Sequence, residues 1–431
     1  MCEAHVTLPT TYNLKPTTYF IMTNYKLWQR YGIEMEYMIV DRDSLNVLPR
    51  ADVPLGKDKN GEQLSDVEHG PIGLSNELVS HVLEFKCAQP VDSLKHLGKT
   101  FHHEILKANE SLKSINAMLL PTAAHPFMNP AEMKLWPYDC LDIYETYDRI
   151  FNCKGHGWAN LQSTHINLSF NGDEEFGKLH AAIRALLPLI PAVAASSPFL
   201  DSKYCGFLDG RIETYRHNQE KIPSITGKVI PEAVFTYKDY EEQIFNRVKA
   251  DIAPYDPEHL LNHFFLNSRG AIARFDRGAI EIRLVDIQEC PDADIAIAEW
   301  EVAVLKGLVE GKFANESQIR ALDTDALAKI LLVTTHSAEK TVINDQDYLK
   351  IWGINASEIA AQDLIVKITE KVKDKISQHS QELLQKMFKR GTLASALVKN
   401  VGADPDRDDF VYEYGRLAHC LAENKLYGTG E

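Results

Sequence analysis

A chain of 431 residues, 45% hydrophobic and 25% charged, has a globular composition and enough length to bury an extensive core. Its formal net charge of −15 excludes broad binding to nucleic acid or anionic membrane, which needs a basic surface, although bound divalent cations can still recruit an anionic substrate. Seven scattered cysteines without a Cys-x-x-Cys pair, no basic-then-apolar leader, and a longest apolar run (residues 185–195) broken by Pro188 and Pro191 point to a cytoplasmic protein with free thiols.

Residues 1–21 are polar, Thr-rich and aperiodic, which predicts a disordered extension; Met22 is an equally reasonable start. Residues 31–40 alternate and are rich in β-formers, predicting a strand ended by the turn-like Asp41-Arg42-Asp43-Ser44. A Gly- and Asp-rich loop is expected over 50–73, and helix passing into strand over 79–87. Helical spacing covers 92–120, with Leu94, Leu97, Phe101, Ile105 and Leu106 on one stripe. Residues 162–170 alternate again, 176–187 are helical, and 280–287 form another strand. From about 291 the pattern is mostly helical, over 293–309, 319–332, 360–388 and 394–399, with a short Gly-containing tail at 428–431. Strands that come in separated pieces before 290, followed by helices, predict an α+β fold with a mostly antiparallel sheet. The expected organisation is the extension, a core over 22–310, and a helical C-terminal portion over 311–431 packed on it.

The chemistry lies in acids placed inside strands. Glu34 and Glu36 are two residues apart in a β-stretch and so project from one face, while Ile33, Met35, Tyr37 and Ile39 form the other. Glu281 and Arg283 repeat this arrangement, as do His165, Asn167 and Ser169; Glu84 lies in Val82-Leu83-Glu84-Phe85, seven residues after Glu77. A half-solvated sheet explains any one of these segments. It does not explain why the set is Glu, Glu, Glu, His and Arg, because crowded carboxylates repel unless protonated or bridged by a cation. Magnesium takes oxygen ligands and bridges carboxylates to substrate phosphates, so converging acidic strand faces point to a nucleotide site holding several metal ions.

Gly32-Ile33-Glu34-Met35-Glu36, Glu77 with Leu83-Glu84-Phe85, His165-Ile166-Asn167-Leu168-Ser169 and Ile280-Glu281-Ile282-Arg283-Leu284-Val285-Asp286 resemble, in order and spacing, the motifs of glutamate–cysteine ligases. The stretch from Ala194-Ala195-Ser196-Ser197-Pro198-Phe199 through Arg211 is similar to carboxylate–amine ligases of the same superfamily. The resemblance spans about 30–310 and implies a glutamine-synthetase-like catalytic core, an antiparallel funnel lined with metal-binding acids. It implies Glu34, Glu36, Glu77, Glu84, His165 and Glu281 as ligands for magnesium, or manganese, with Arg283 and Glu281 catalytic and Arg283 on the transferring phosphoryl group. Asn167, Arg269, Arg274 and Arg277 are candidates for ATP contacts, and Arg211 and Arg216 for a substrate carboxylate. Many broader carboxylate–amine ligases carry His-x-His where this chain has His165 and Asn167, which favours the glutamate–cysteine branch, amino acid substrates and a place in glutathione biosynthesis. Competing expectations are a non-catalytic relative that binds metal and nucleotide, and a phosphagen-type kinase that stops after phosphoryl transfer.

Other signals carry less. Gly98-Lys99-Thr100 lacks the first glycine of a phosphate-binding loop, His102-His103-Glu104 lacks the second histidine of a zinc helix, and Asp404, Asp406, Asp408 and Asp409 lack the glycine and closing Glu of a calcium loop. The last set reads as a solvated acidic turn, and Cys205 as structural.

Overall fold

The alternation of Ile33, Met35, Tyr37 and Ile39 with Glu34 and Glu36 becomes one eleven-residue strand, β1 (Tyr31–Asp41), in this computed structural model, which describes residues 25–428. The expectations for 1–21 and for the last residues of the tail lie outside the described residues. Around β1 are β2 (Asp66–Glu68), β3 (Ile72–Asn76), β4 (Val82–Cys87), β5 (Ala117–Leu120), β6 (Ser163–Ser169), β7 (Ala271–Arg274) and β8 (Ala279–Asp286). They form an eight-stranded sheet in the order β2-β3-β4-β1-β6-β8-β7, with β5 also paired to β1. Every pairing in it is antiparallel. β1 is held on both edges at once, which buries its backbone and fixes its register.

One face of the sheet is apolar. Ile33, Met35, Tyr37, Phe85, Ile166, Leu168, Ile280 and Ile282 share a single hydrophobic core with helices α1 (Leu97–Leu112), α2 (Gly172–Leu186) and α3 (Pro291–Val309). Slipping any of these strands by one residue would turn its polar side chains into this core, so burial sets the register. α3 is apolar nearly all round because it has neighbours on every side: α1, α2, and, from the C-terminal portion, α5 (Ala361–Val372) and α6 (Gln378–Arg390). α4 (Thr324–Ser337) contributes Leu327, Ile330 and Leu331 to the same core, which runs without a break from Tyr31 to Leu421. α7 (Leu393–Val401) and α8 (Arg407–Glu423) pack a second cluster with Met38, Val40 and Leu120.

At the crossing of α1 and α3, a Cβ added to Gly98 would stand 3.0 Å from the Asp292 Cα and 3.1 Å from its N. Gly98→Ala is therefore expected to destabilise the fold by roughly 1–3 kcal/mol, read as a lower urea midpoint at unchanged m-value.

Several expectations are corrected. Residues 50–73 are not a plain loop: they hold a helical turn (Asp52–Leu55), β2 and the start of β3. No helix precedes β4; Val79 bridges to Leu135 and a turn follows. The helical stretch after 92 gives way to β5. The spans 319–332 and 360–388 are each two helices, because Asp323 and Ser377 accept N-terminal amide bonds and start α4 and α6 afresh. The acidic turn at 404–409 contains the start of a long helix: Asp406 and Asp409 form a capping box for α8. None of the described helices is long and apolar enough to cross a membrane.

Candidate active site

The polar face of the sheet is set by register. Glu34 stands opposite His165, Glu36 opposite Glu84, and Glu281 opposite Asn167. Directly opposed residues have their Cβ atoms about 5 Å apart, so backbone pairing drives together carboxylates from β1, β4 and β8 and the His165 imidazole from β6. Two groups result, Glu34 with His165 and Glu281, and Glu36 with Glu84 and His165; within each, one potential ligand atom per residue lies within 4.8 Å of the others. His165 belongs to both. Its Nδ1 is 3.0 Å from Glu34 Oε2 and 3.6 Å from Glu281 Oε1, and its Nε2 is 2.9 Å from Ser163 Oγ.

Each acid has a definite holder. Asn167 Nδ2 donates to Glu34 Oε1 at 3.1 Å, and the Ser163 N–H and hydroxyl donate to Glu36 Oε2 at 2.7 and 3.0 Å. Asn167 has room because residue 32 is glycine; a Cβ there would press on the Asn167 Cβ at 3.2 Å. Ser75 Oγ donates to Glu84 Oε1 at 2.8 Å and accepts from Lys86 Nζ at 2.9 Å, which in turn bonds Asp66 at 2.7 Å.

Crowding shows in the ionisation of the group. Burial and the Glu34 charge push Glu84 up to about 7, against the pull of Lys86 and Ser75. Burial, Glu84 and Glu36 push Glu77 well above the carboxylate range, which also places Glu77 within the electrostatic reach of the cluster. Burial opposes ionisation of Glu34 as well, but the hydrogen bond and charge of His165, with Arg277 and Lys86, hold it down to about 2. Burial works against the His165 cation, yet Glu34, Glu36 and Glu281 raise it. Oxygen donors in excess of local positive charge, with one imidazole among them, fit a hard divalent cation such as magnesium or manganese.

The arginines divide. Arg283 Nε lies 2.8 Å from Glu281 Oε1, and Arg274 Nη1 is 3.8 Å from Glu281 Oε2. Arg277 acts on Glu34 and Glu281 from the β7–β8 hairpin. Burial opposes the Arg283 charge, but Glu281, Tyr215, Glu36 and Glu34 raise its pKa above the ordinary arginine value. The structure does not bring Arg269 to this face. Its guanidinium is occupied by Glu232 and by the carbonyls of Ser224 and Ile225, because it closes the loop between them. Arg216 is exposed, forks onto Glu213 at 2.6 and 2.8 Å, and borders a groove with Phe207, His336 and Lys340. Arg211 is buried behind β8, bonded to the Arg283 carbonyl.

Lys86, Ser75, Ser163 and Tyr215 belong to the site although they were not read from the sequence. Lys86 and Ser163 are two positions from Glu84 and His165 within strands, so alternation alone puts them on the same face. Tyr215, whose buried hydroxyl has no hydrogen-bond partner among the described residues, has no such signal.

The model of the glutamate–cysteine ligase family 2 (GCS2) matches residues 30–341. An uncharacterized protein of Archaeoglobus fulgidus is 30% identical over 399 residues, 92% of this chain and 99% of that protein. Among solved structures, a glutamate–cysteine ligase of Francisella tularensis in complex with AMP superposes with a TM-score of 0.58 at 12% identity, covering 93% of this chain and 89% of that one. A bifunctional glutathione synthetase from Pasteurella multocida gives 0.58 at 14% identity, covering 92% of this chain and 53% of that one. The antiparallel sheet with its helical C-terminal portion is the fold of these ligases.

Proposed function

The chain belongs to glutamate–cysteine ligase family 2, and on that premise we propose that it is a cytoplasmic, ATP- and magnesium-dependent carboxylate–amine ligase. Its substrates in this reading are two small amino acids, glutamate as the carboxylate and cysteine as the amine. The observation that supports it is the convergence of Glu34, Glu36, Glu84, His165 and Glu281 beside Arg283 on one sheet face.

The reaction has two halves. An oxygen of the substrate carboxylate bonds to the γ-phosphorus of ATP, the bond to the bridging oxygen breaks, and ADP leaves. The amine nitrogen then bonds to the acyl phosphate carbon, gives up a proton, and expels phosphate to leave an amide. Glu34, Glu36, Glu77, Glu84, His165 and Glu281 would hold magnesium or manganese, which neutralises triphosphate charge. Arg283, kept cationic by Glu281, is the donor for the phosphoryl oxygens as charge moves onto them. Arg274 and Arg277 stand beside Glu281 and Glu34 and would supply further positive charge to the phosphates, while Asn167 donates to Glu34 and would meet the nucleotide from there. The apolar face behind the sheet keeps these groups in one rigid register, so they need little reorganisation when substrate arrives.

Purified protein incubated with ATP, magnesium and a broad amino acid panel should release ADP and phosphate only when an acid and an amine are both present. The product mass should equal the two amino acids less one water. A phosphorylated amine would identify a kinase, and ATP binding without amine-dependent turnover would overturn the ligase reading.

A further inference from the structure

β8 does not run straight through the site. Ile282 pairs with Ile166 and Val285 with Thr164, so Arg283 and Leu284 together face the single residue His165. That is a β-bulge, a device that bends a strand and re-aims the side chain it carries. The bulged residue leaves the β6 ladder and is caught from two directions. Its N–H donates to Gly270 O at 2.9 Å, and a Cβ at Gly270 would collide with Leu284 Cδ1 at 2.7 Å, so glycine there lets the bulge seat. Its carbonyl accepts Arg211 Nη2 at 2.7 Å.

Arg211 is itself held firmly. It is 3% exposed; its N–H donates to Ser197 Oγ at 2.9 Å, and its Nη1 reaches Asp286 Oδ1 at 3.4 Å. Asp286 Oδ2 accepts from the Ser196 N–H at 2.8 Å and the Ser197 hydroxyl at 2.7 Å. Asp209 Oδ1 caps the short helix Gly210–Tyr215 through the Ile212 N–H at 2.8 Å. The segment around Ser196 and Ser197, the short helix and the end of β8 thus form one buried clamp with Arg211 at its centre.

We propose that Arg211 is a positioning residue: it fixes the bulge at Arg283 and through it aims the Arg283 guanidinium at Glu281. Its part in catalysis rests on the ligase reading above; its hold on the bulge does not. A guanidinium spans the Arg283 carbonyl and Asp286 together, whereas an ammonium keeps the charge beside Asp286 and loses the fork. Arg211→Lys is therefore the informative variant, because it avoids stranding a buried carboxylate.

Arg211→Lys should lower kcat about 100-fold with little change in the KM for ATP or the acidic substrate. In an Arg283→Ala background the same change should cost no more than about twofold, since Arg211 acts only through Arg283. Hydrogen exchange of the amides over 279–286 should rise about tenfold. Multiplicative losses in the double variant would overturn the proposal, as would a raised KM for the acidic substrate at unchanged kcat, which would make Arg211 a substrate ligand. Unchanged exchange over 279–286 would overturn it whatever the kinetics. If the wild-type protein has no ligase turnover, the functional reading fails alone, and the exchange comparison still decides whether Arg211 holds the bulge.

Discussion

Glu281→Gln is expected to lower ligase turnover on the order of 1,000-fold while leaving the protein folded. The residue is 4% exposed and sits where two guanidinium groups and an imidazole converge: Arg283 Nε at 2.8 Å, Arg274 Nη1 at 3.8 Å and His165 Nδ1 at 3.6 Å. Replacing one oxygen by an amide keeps the volume and removes the charge. Two functions are then lost together: a ligand in the Glu34–His165–Glu281 group, and the counter-ion that holds Arg283 toward the transferring phosphoryl group. Excess magnesium should restore only the first, so activity should stay low at saturating metal. The fold should survive, because the core lies on the opposite face, under Ile280 and Ile282. Phosphate release in the presence of both amino acids reads the first expectation, and a thermal midpoint within about 3 °C of wild type reads the second. A variant that turns over within tenfold of wild type would remove Glu281 from the chemistry.

How much of this was legible in the sequence follows from what each signal encodes. Alternation reports which face a side chain takes, so Glu34 and Glu36 on β1, His165 and Asn167 on β6, and Glu281 and Arg283 on β8 were each visible as pairs. Alternation says nothing about which strands are neighbours, and the meeting of Glu36 with Glu84 depends on β4 lying against β1. β5, four residues of Ala-Met-Leu-Leu directly after a helix, has no alternation to distinguish it from more helix. Helix interruptions were invisible to periodicity because their apolar stripes resume after each break, and only the caps at Asp323 and Ser377 mark them. The arginines show the sharpest limit. Residue type foretells a forked donor, but Arg269 forks onto Glu232, thirty-seven positions away, and Arg216 onto Glu213, three positions away. The first choice is not written in local spacing, and the second is an i, i+3 helix pair that takes Arg216 out of the reach of the acid face.

Glu301→Gln is expected to stabilise the protein, and by an amount that grows with pH. Glu301 lies within α3 at 0% exposure, and neither carboxylate oxygen has a hydrogen-bond partner among the described residues. Burial alone pushes its pKa up to about 8 from an ordinary value of 4.5. The folded state therefore keeps a proton that the unfolded state releases. Below pH 4.5 both states are protonated and the residue adds no pH dependence to stability. Between 4.5 and 8 the native state binds more protons than the unfolded one, so stability falls as pH rises, by about 1.4 kcal/mol per unit. Above 8 both states are ionised and the penalty is constant, on the order of 5 kcal/mol. Glutamine cannot ionise and removes this dependence. Urea midpoints measured at pH 5, 7 and 9 should show the variant drawing ahead of wild type across that range, with the gap levelling off at the top. A gap of the same size at all three values would mean that Glu301 is already ionised in the folded protein at pH 5, held by a partner the helix does not supply. That buried carboxylate lies in the helix packed behind the sheet, so its effect should appear in stability and leave the metal requirement of the acid face unchanged.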